Sequence, residues 1–303
     1  MSDEGDVLAP LIDVGLVLGL VEAQFPQWAD LPVVAAVPQG WDNRSFRLGD
    51  ALVVRLPSAA GYAAQVDKEN RWLPVLAPWL PLPVPVPVAR GAPGHGYPWS
   101  WSVYRWIDGQ PAATGVVSDL SEFATALAGF LTALQSIDAA GGPAPGPHNF
   151  WRGGPLSTYA EETLRAIDTL GWEIPRDAVL AVWRDAAAAS WRDEPVWLHG
   201  DVAVGNLLVR DGRLVAVIDF GCCAVGDPAC DVVIAWTLLS GSSRQAFRSA
   251  LAVDDRTWAR GRGWALWKAL IALADGLEHD PLAAAQARRA IEQVLADHAR
   301  HTT

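Results

Sequence analysis

Four side chains close together in the stretch 197–231, WLHGDVAVGNLLVRDGRLVAVIDFGCCAVGDPACD, are of the kinds that handle phosphate: His199, Asp201, Asn206 and Asp219. A carboxylate beside a hydroxyl can accept or orient its proton. A second carboxylate and an amide oxygen make hard ligands suited to Mg²⁺ carrying phosphate oxygens. The chemistry this set could support is transfer of a phosphoryl group to a hydroxyl. Two apolar runs, 206–210 and 214–220, separate these residues and read as strands. Asp211-Gly212 between them is a hairpin signal, because both positions of a two-residue turn can take positive φ. Folding the second run back on the first returns Asp219 to the neighbourhood of Asn206 and Asp201.

His-x-Asp, then Asn five residues after the Asp, then a strand ending in Asp-Phe-Gly, resembles the catalytic loop and metal-binding strand of kinases. Here these are His199-Gly200-Asp201, Asn206 and Asp219-Phe220-Gly221. Gly200 stands where protein kinases carry Arg, and Gly226-Asp227-Pro228-Ala229-Cys230-Asp231 follows. With those features the segment is similar to the aminoglycoside phosphotransferase family of small-molecule kinases. The resemblance implies an α+β, bilobal, protein-kinase-like fold. Its β-rich N-terminal lobe, 1–108, would bind nucleotide, and its mainly helical C-terminal lobe, 109–303, would hold the catalytic loop and acceptor site.

It also implies ATP or GTP as co-substrate with Mg²⁺. Asp201 would accept or orient the hydroxyl proton, Asn206 and Asp219 would hold the metal, and His199, Asp227 and Asp231 would support the loop. For Asp231 a helix N-cap role explains the residue equally well. On the nucleotide side the implied contacts are Ser45, Arg55 positioned by Glu69, and backbone groups of Arg105 and Ile107 at a hinge. Arg55 departs from the kinase Lys, and guanidinium binds oxyanions through a wider planar fork. The Gly40-Trp41-Asp42-Asn43 turn, where kinases fold a loop over the phosphates, has one Gly and not three.

The acceptor implied is a small-molecule hydroxyl, with an aminoglycoside-type antibiotic leading. For such a cationic acceptor the helical half offers Glu161, Glu162, Asp275, Glu278 and Asp280; for a weakly charged one, the apolar walls of Trp236, Trp264 and Trp267. Macrolide, choline, homoserine and sugar kinases share the loop and differ in the helical region. A rival of another class is a nucleotide-binding scaffold without turnover, which would not need Asp201, Asn206 and Asp219 together.

The rest of the chain must position this set. Its 303 residues, 51% of them apolar, suffice for two lobes with continuous cores. A formal charge of −11 and a pI near 4.9 lack the phosphate attraction of a nucleic-acid binder. Cys222, Cys223 and Cys230 have neither a disulfide framework nor zinc spacing, and read as reduced packing thiols in a cytoplasmic protein. The acidic start, MSDEGD, lacks the basic region of a signal peptide, and the apolar segment 11–25 is too short to span a bilayer. No membrane or nucleic-acid partner is expected.

Leu11, Val14, Leu18, Val21 and Phe25 recur at helical steps and predict an amphipathic helix. Runs 33–37, 45–48 and 52–56 predict an antiparallel meander, 61–77 a helix, and the five prolines of 78–87 an extended connector into an edge strand. Run 100–106 is a last strand. Beyond it the spacing predicts helices from Leu120 to Leu134, capped by Ser118, and over 156–170, 176–191, 231–239, 256–275 and 281–299. Sixteen tryptophans are read mainly as packing, with two or three at most touching a substrate.

Overall fold

Alternating apolar residues in the first hundred positions pair into a five-stranded antiparallel sheet of order β1-β2-β3-β5-β4. Its strands are β1 (Val33–Ala35), β2 (Asn43–Leu48), β3 (Leu52–Pro57), β4 (Pro87–Gly91) and β5 (Trp101–Arg105). The computed structural model describes residues 11–37, 39–40 and 42–301. MSDEGD and Trp41 of the 40–43 turn lie outside the described residues. The chain forms two compact units, one of residues up to Pro78 with Pro83–Asp108, the other of Trp79–Leu82 with Gly109 onward.

In the first unit, α1 (Val14–Gln24) is capped by Asp13, whose carboxylate accepts the Leu16 N–H at 2.9 Å. Its buried face is Val17, Leu20 and Val21, whereas Leu11 is 82% exposed. The expected stripe is therefore rotated. A helix that is apolar nearly all round offers more than one set of three- and four-residue steps, and the sheet selects among them. Val17, Leu20 and Val21 pack with Phe46, Leu48, Val54, Leu56, Tyr97, Trp101 and Val103. Helix α2 (Ala60–Leu76) follows β3 and presents buried Glu69.

The second unit carries a three-stranded sheet, β6 (Gln110–Pro111), β8 (Leu207–Arg210) and β9 (Arg213–Val217), in the order β6-β8-β9. A two-stranded ribbon joins β7 (Val196–Leu198) to β10 (Ala224–Gly226). Around them lie α3 (Leu120–Gln135), α4 (Ala160–Leu170), α5 (Arg176–Ala188), α6 (Ile234–Thr237), α7 (Gly241–Leu251), α8 (Asp255–His279) and α9 (Pro281–His301). Helix α3 buries Phe123, Ala124, Leu127, Phe130, Leu131 and Leu134 as its periodicity predicts. Its cap is Asp119 rather than Ser118: the carboxylate accepts the N–H groups of Ser121 and Glu122. The helix expected over 231–239 is instead a 3₁₀ turn, Pro228–Val233, running into α6. Trp197, Trp236, Trp258 and Trp264 are fully buried, as bulk apolar packing demands. No helix among the described residues is long and apolar enough to cross a membrane.

Candidate active site

The β8–β9 hairpin is the frame of the site. Asp211 and Gly212 take φ of 53° and 76°, and Arg210 pairs with Arg213 across the turn. At the open end Leu207 pairs with Val217, and the Ile218 N–H donates to the Asn206 carbonyl at 2.9 Å. Asp219 therefore follows directly beside Asn206. The second strand ends at Val217, earlier than the sequence suggested, because Asp219 adopts a left-handed conformation (φ 67°) and Phe220 opens a 3₁₀ turn. A non-glycine residue held there carries backbone strain, a feature concentrated at functional positions.

Asp201 is half-buried and held through both oxygens. Oδ1 accepts from Lys268 Nζ at 2.6 Å, and Oδ2 accepts from Asn206 Nδ2 at 3.0 Å. Asn206 Nδ2 also donates to the Asp201 carbonyl at 2.9 Å. That leaves Asn206 Oδ1 as the amide's remaining acceptor. Burial pushes the Asp201 carboxyl up, but the Lys268 charge and hydrogen bond, with the Arg152 charge, outweigh it and hold the group below its ordinary value. Asp201 thus stays ionised in the folded protein.

His199 is fully buried and braces the loop. Its Nδ1 accepts the Asp201 N–H at 3.2 Å, which fixes the neutral tautomer, and Nε2–H donates to the Ile218 carbonyl at 3.0 Å. Its own N–H and that of Gly200 donate to Asp231 Oδ2 and Oδ1 at 2.8 and 2.7 Å. Asp231 thus ties the loop through two backbone bonds and is not an N-cap. Burial raises its carboxyl despite them. Asp227 does not reach the loop: it caps the 3₁₀ turn through the Ala229 N–H and forms a buried, two-bonded pair with Arg260 at 2.6 and 3.1 Å. Gly200 has φ of 83°, and a Cβ there would lie 2.3 Å from the Cys222 carbonyl oxygen. No other residue fits between His199 and Asp201, which accounts for Gly where protein kinases carry Arg.

A small cleft, with a cavity volume of about 10 Å³, opens beside Asp201, wholly within the second unit. It is lined by Arg152, Asp201, Cys230, Trp264, Trp267 and Lys268, among others. Trp264 and Trp267 contribute to it, whereas Trp236 packs in the core against Trp258. None of Glu161, Glu162, Asp275, Glu278 and Asp280 lines it. Glu162 instead accepts the Trp267 indole N–H at 2.7 Å, and Asp280 caps α9. Arg152 follows two consecutive left-handed residues, Phe150 and Trp151 (φ 53° and 55°), each costing about 1–3 kcal/mol. Asn149, fully buried, holds this bend through Nδ2 to the Arg152 and Cys222 carbonyls and Oδ1 to the Gly146 N–H.

The nucleotide-side residues all lie in the first unit. Ser45 on β2 stands opposite Arg55 on β3, and its N–H and C=O are engaged by the Gln39 side chain. Arg55, half-buried, meets buried Glu69 at 3.6 Å and lies over the Tyr104 ring, whose hydroxyl donates to Glu69. Arg105 ends β5 opposite Leu52, and Ile107 follows it. Sequence reasoning missed Lys268, Arg152, Asn149 and Arg260. One signal was present for the first: only two of the 23 cationic residues are lysines, Lys68 and Lys268.

A hairpin that sets an ionised carboxylate beside an amide and a second carboxylate, with its loop tied down from behind, defines a phosphotransferase of the kinase type. The sequence pattern of the phosphotransferase enzyme family (APH) matches residues 33–264, and the chain belongs to that family. Among solved structures it is similar to wild-type aminoglycoside 2'-phosphotransferase-IIIa in its GDP complex, with 19% identity, 93% of this chain and 98% of that one covered, and a TM-score of 0.70. It is also similar to APH(2")-IIia with GDP and kanamycin (20% identity, 94% and 98% covered, TM-score 0.69). A third is apo macrolide 2'-phosphotransferase MphH from Brachybacterium faecium (22% identity, 90% and 97% covered, TM-score 0.59). These likenesses establish the α+β kinase-like fold, β-sheet in the N-terminal part and mostly helical beyond. No curated protein sequence matches the chain significantly.

Proposed function

We propose that this small-molecule kinase moves the γ-phosphate of ATP or GTP, as its Mg²⁺ complex, to a hydroxyl of its acceptor. The observation that carries this reading is Asp201, ionised and fixed through one oxygen by Asn206 and through the other by Lys268. A carboxylate so fixed orients the attacking hydroxyl and takes its proton late, when the bond to phosphorus has largely formed. A loose transition state asks little more of a base than position.

Asn206 and Asp219 fit Mg²⁺. They supply an amide and a carboxylate oxygen at the same end of one hairpin, and Mg²⁺ in kinases needs few protein ligands because substrate phosphates and water complete its shell. When bound, the metal would neutralise charge on the transferred phosphoryl group. Arg55, held by Glu69, is the cation of the first unit proposed for the nucleotide phosphates, with Ser45 and the backbone of Arg105 and Ile107 as further contacts. The first unit is proposed to bind nucleotide and the second to hold the acceptor.

Solved relatives named for aminoglycosides and macrolides offer those antibiotics as acceptors, and an aminoglycoside reading stands on that analogy. The lining of the cavity beside Asp201 favours a different end group: its cations are Arg152 and Lys268, and its walls are indoles. The test of the core reading is nucleotide-dependent thermal stabilisation with and without Mg²⁺, with ADP or GDP formation over an acceptor panel. Asp201→Asn should keep Mg²⁺-dependent stabilisation and lose about 10²-fold or more in turnover. Asp219→Ala should lose the stabilisation itself. Equal behaviour of both variants would refute the division of roles.

A further inference from the structure

Beyond helping to hold Asp201 ionised, one charged group of the cavity, Arg152, has no task in phosphoryl transfer as described above. Arg152 is half-buried, and its guanidinium lies over three aromatic rings: Trp267 at 4.5 Å, Trp264 at 5.5 Å and Tyr159 at 5.7 Å. Its one side-chain hydrogen bond is a long one, to the Tyr159 hydroxyl at 3.5 Å. No described carboxylate lies within 4.0 Å of it. Glu162, the acidic residue of the aromatic cluster, is taken by the Trp267 N–H. The three buried arginines, Arg244, Arg260 and Arg262, all pair with carboxylates, Arg260 with Asp227 and the other two with Asp297. A partly desolvated guanidinium is ordinarily paired. Here the strained bend at Phe150-Trp151 and the three bonds of Asn149 hold it at the cavity with ring faces in place of a counter-ion.

We infer that Arg152, with the Lys268 ammonium beside it, forms an anion-binding subsite for the acceptor, so that the hydroxyl substrate carries an acidic group, a carboxylate or a phosphate, near the hydroxyl that Asp201 orients. The side of Asp201 on which the subsite lies separates it from the nucleotide. Asn206 holds Oδ2 and Lys268 holds Oδ1, and the cavity is lined by Lys268 and Gly200, Asp201 and Val202 but not by Asn206 or Asp219. Trp264 adds a buried indole N–H with no acceptor among the described residues. Planar guanidinium over indole leaves its N–H edge for a bidentate acid, the geometry in which Arg differs from Lys. The substrate class rests on the phosphotransferase reading of Asp201; the anion site itself does not.

The test uses matched neutral and acidic polyols: glycerol, glycerate and glycerol 3-phosphate, and sorbitol, gluconate and sorbitol 6-phosphate, with kanamycin as the polycation. Binding is followed by tryptophan fluorescence, which Trp264 and Trp267 report directly, and turnover by ADP formation. The acidic member of at least one set should give saturable quenching that its neutral partner lacks. Arg152→Gln should weaken that binding about 10- to 100-fold, the scale of charge-assisted hydrogen bonds to an acid, and Arg152→Lys should recover part of it. Carboxylate against phosphate within a set tells which acid is meant. Equal response within every set, including no response at all, overturns the subsite, as does kanamycin turnover indifferent to Arg152→Gln. Should Arg152→Gln fail to fold, the wild-type comparison within each set still decides. Acid-selective binding without any Mg²⁺-nucleotide stabilisation would instead sink the kinase reading and leave the subsite standing.

Discussion

Lys268→Met is the substitution on which the account of Asp201 turns. The ammonium lies 2.6 Å from Oδ1, but the two side chains are 42% and 32% exposed. Unscreened at an effective dielectric of about 20 such a pair would exceed about 4 kcal/mol, and exposed pairs measure at most about 1 kcal/mol. Exposure at both heads places this one near the lower figure. Stability should fall by about 1 kcal/mol, a drop of roughly 2–4 °C in Tm for a unit of this size. Two effects on rate oppose each other. Without Lys268 the carboxylate is a stronger base, yet it is free to rotate about its Cβ–Cγ bond with only Asn206 to hold it. Because the transition state is loose, orientation outweighs basicity, and kcat should fall about 10-fold, the equivalent of about 1.4 kcal/mol.

The pH profile adds a second readout of the same variant. In the wild type the Asp201 value lies below its ordinary one, so its contribution to stability is complete at neutral pH and is lost only as pH falls through the depressed value. Lys268→Met leaves burial, which raises the group, with weaker opposition, and the acid limb of kcat/KM should move to higher pH. Steady-state kinetics from pH 4 to 9, with nucleotide KM as a control expected not to change, measures both. A kcat within twofold of wild type together with an unmoved acid limb, or a gain in kcat, would refute the positioning argument.

Gly200→Ala should cost about 1–3 kcal/mol from its positive φ alone, more from the contact with Cys222, and should abolish turnover; chemical denaturation and kinetics check it. Asp231→Asn offers one acceptor where two backbone N–H groups need partners, so unfolding free energy should drop by about 1–3 kcal/mol. Burial raises the Asp231 carboxyl above its unfolded value, so ionisation opposes folding at neutral pH and the cost is relieved as pH falls through the raised value; denaturation against pH should show that component in the wild type and not in the variant. Cys222, Cys223 and Cys230 are buried thiols outside any disulfide, and burial with Asp231 and Asp227 pushes the Cys230 thiol far up. Thiol reagents should therefore label the protein only on unfolding, and a zinc chelator should change neither Tm nor activity.

The catalytic hairpin was legible in the chain because its determinants are local. Asp211-Gly212 demands positive φ at two adjacent positions, the alternation on either side sets the register, and register alone returns Asp219 to Asn206. The α3 core face was legible for the same reason, one strong period on one helix. Where the local pattern was degenerate, reading failed. Helix α1 is apolar on several faces, and only its packing against the sheet chose Val17, Leu20 and Val21 over Leu11 and Val14. Adjacent Ser118 and Asp119 are both good caps, and backbone direction gave the role to Asp119. What surrounds Asp201 was decided by tertiary structure alone. Lys268 is 67 residues from it, Arg260 is 33 from Asp227, and Asn149 reaches Cys222 across 73. Such contacts depend on how α8 and the 146–152 bend pack against the loop, and no spacing in the chain encodes the meeting of side chains whose separation is set by helix packing rather than by the period of one strand or helix.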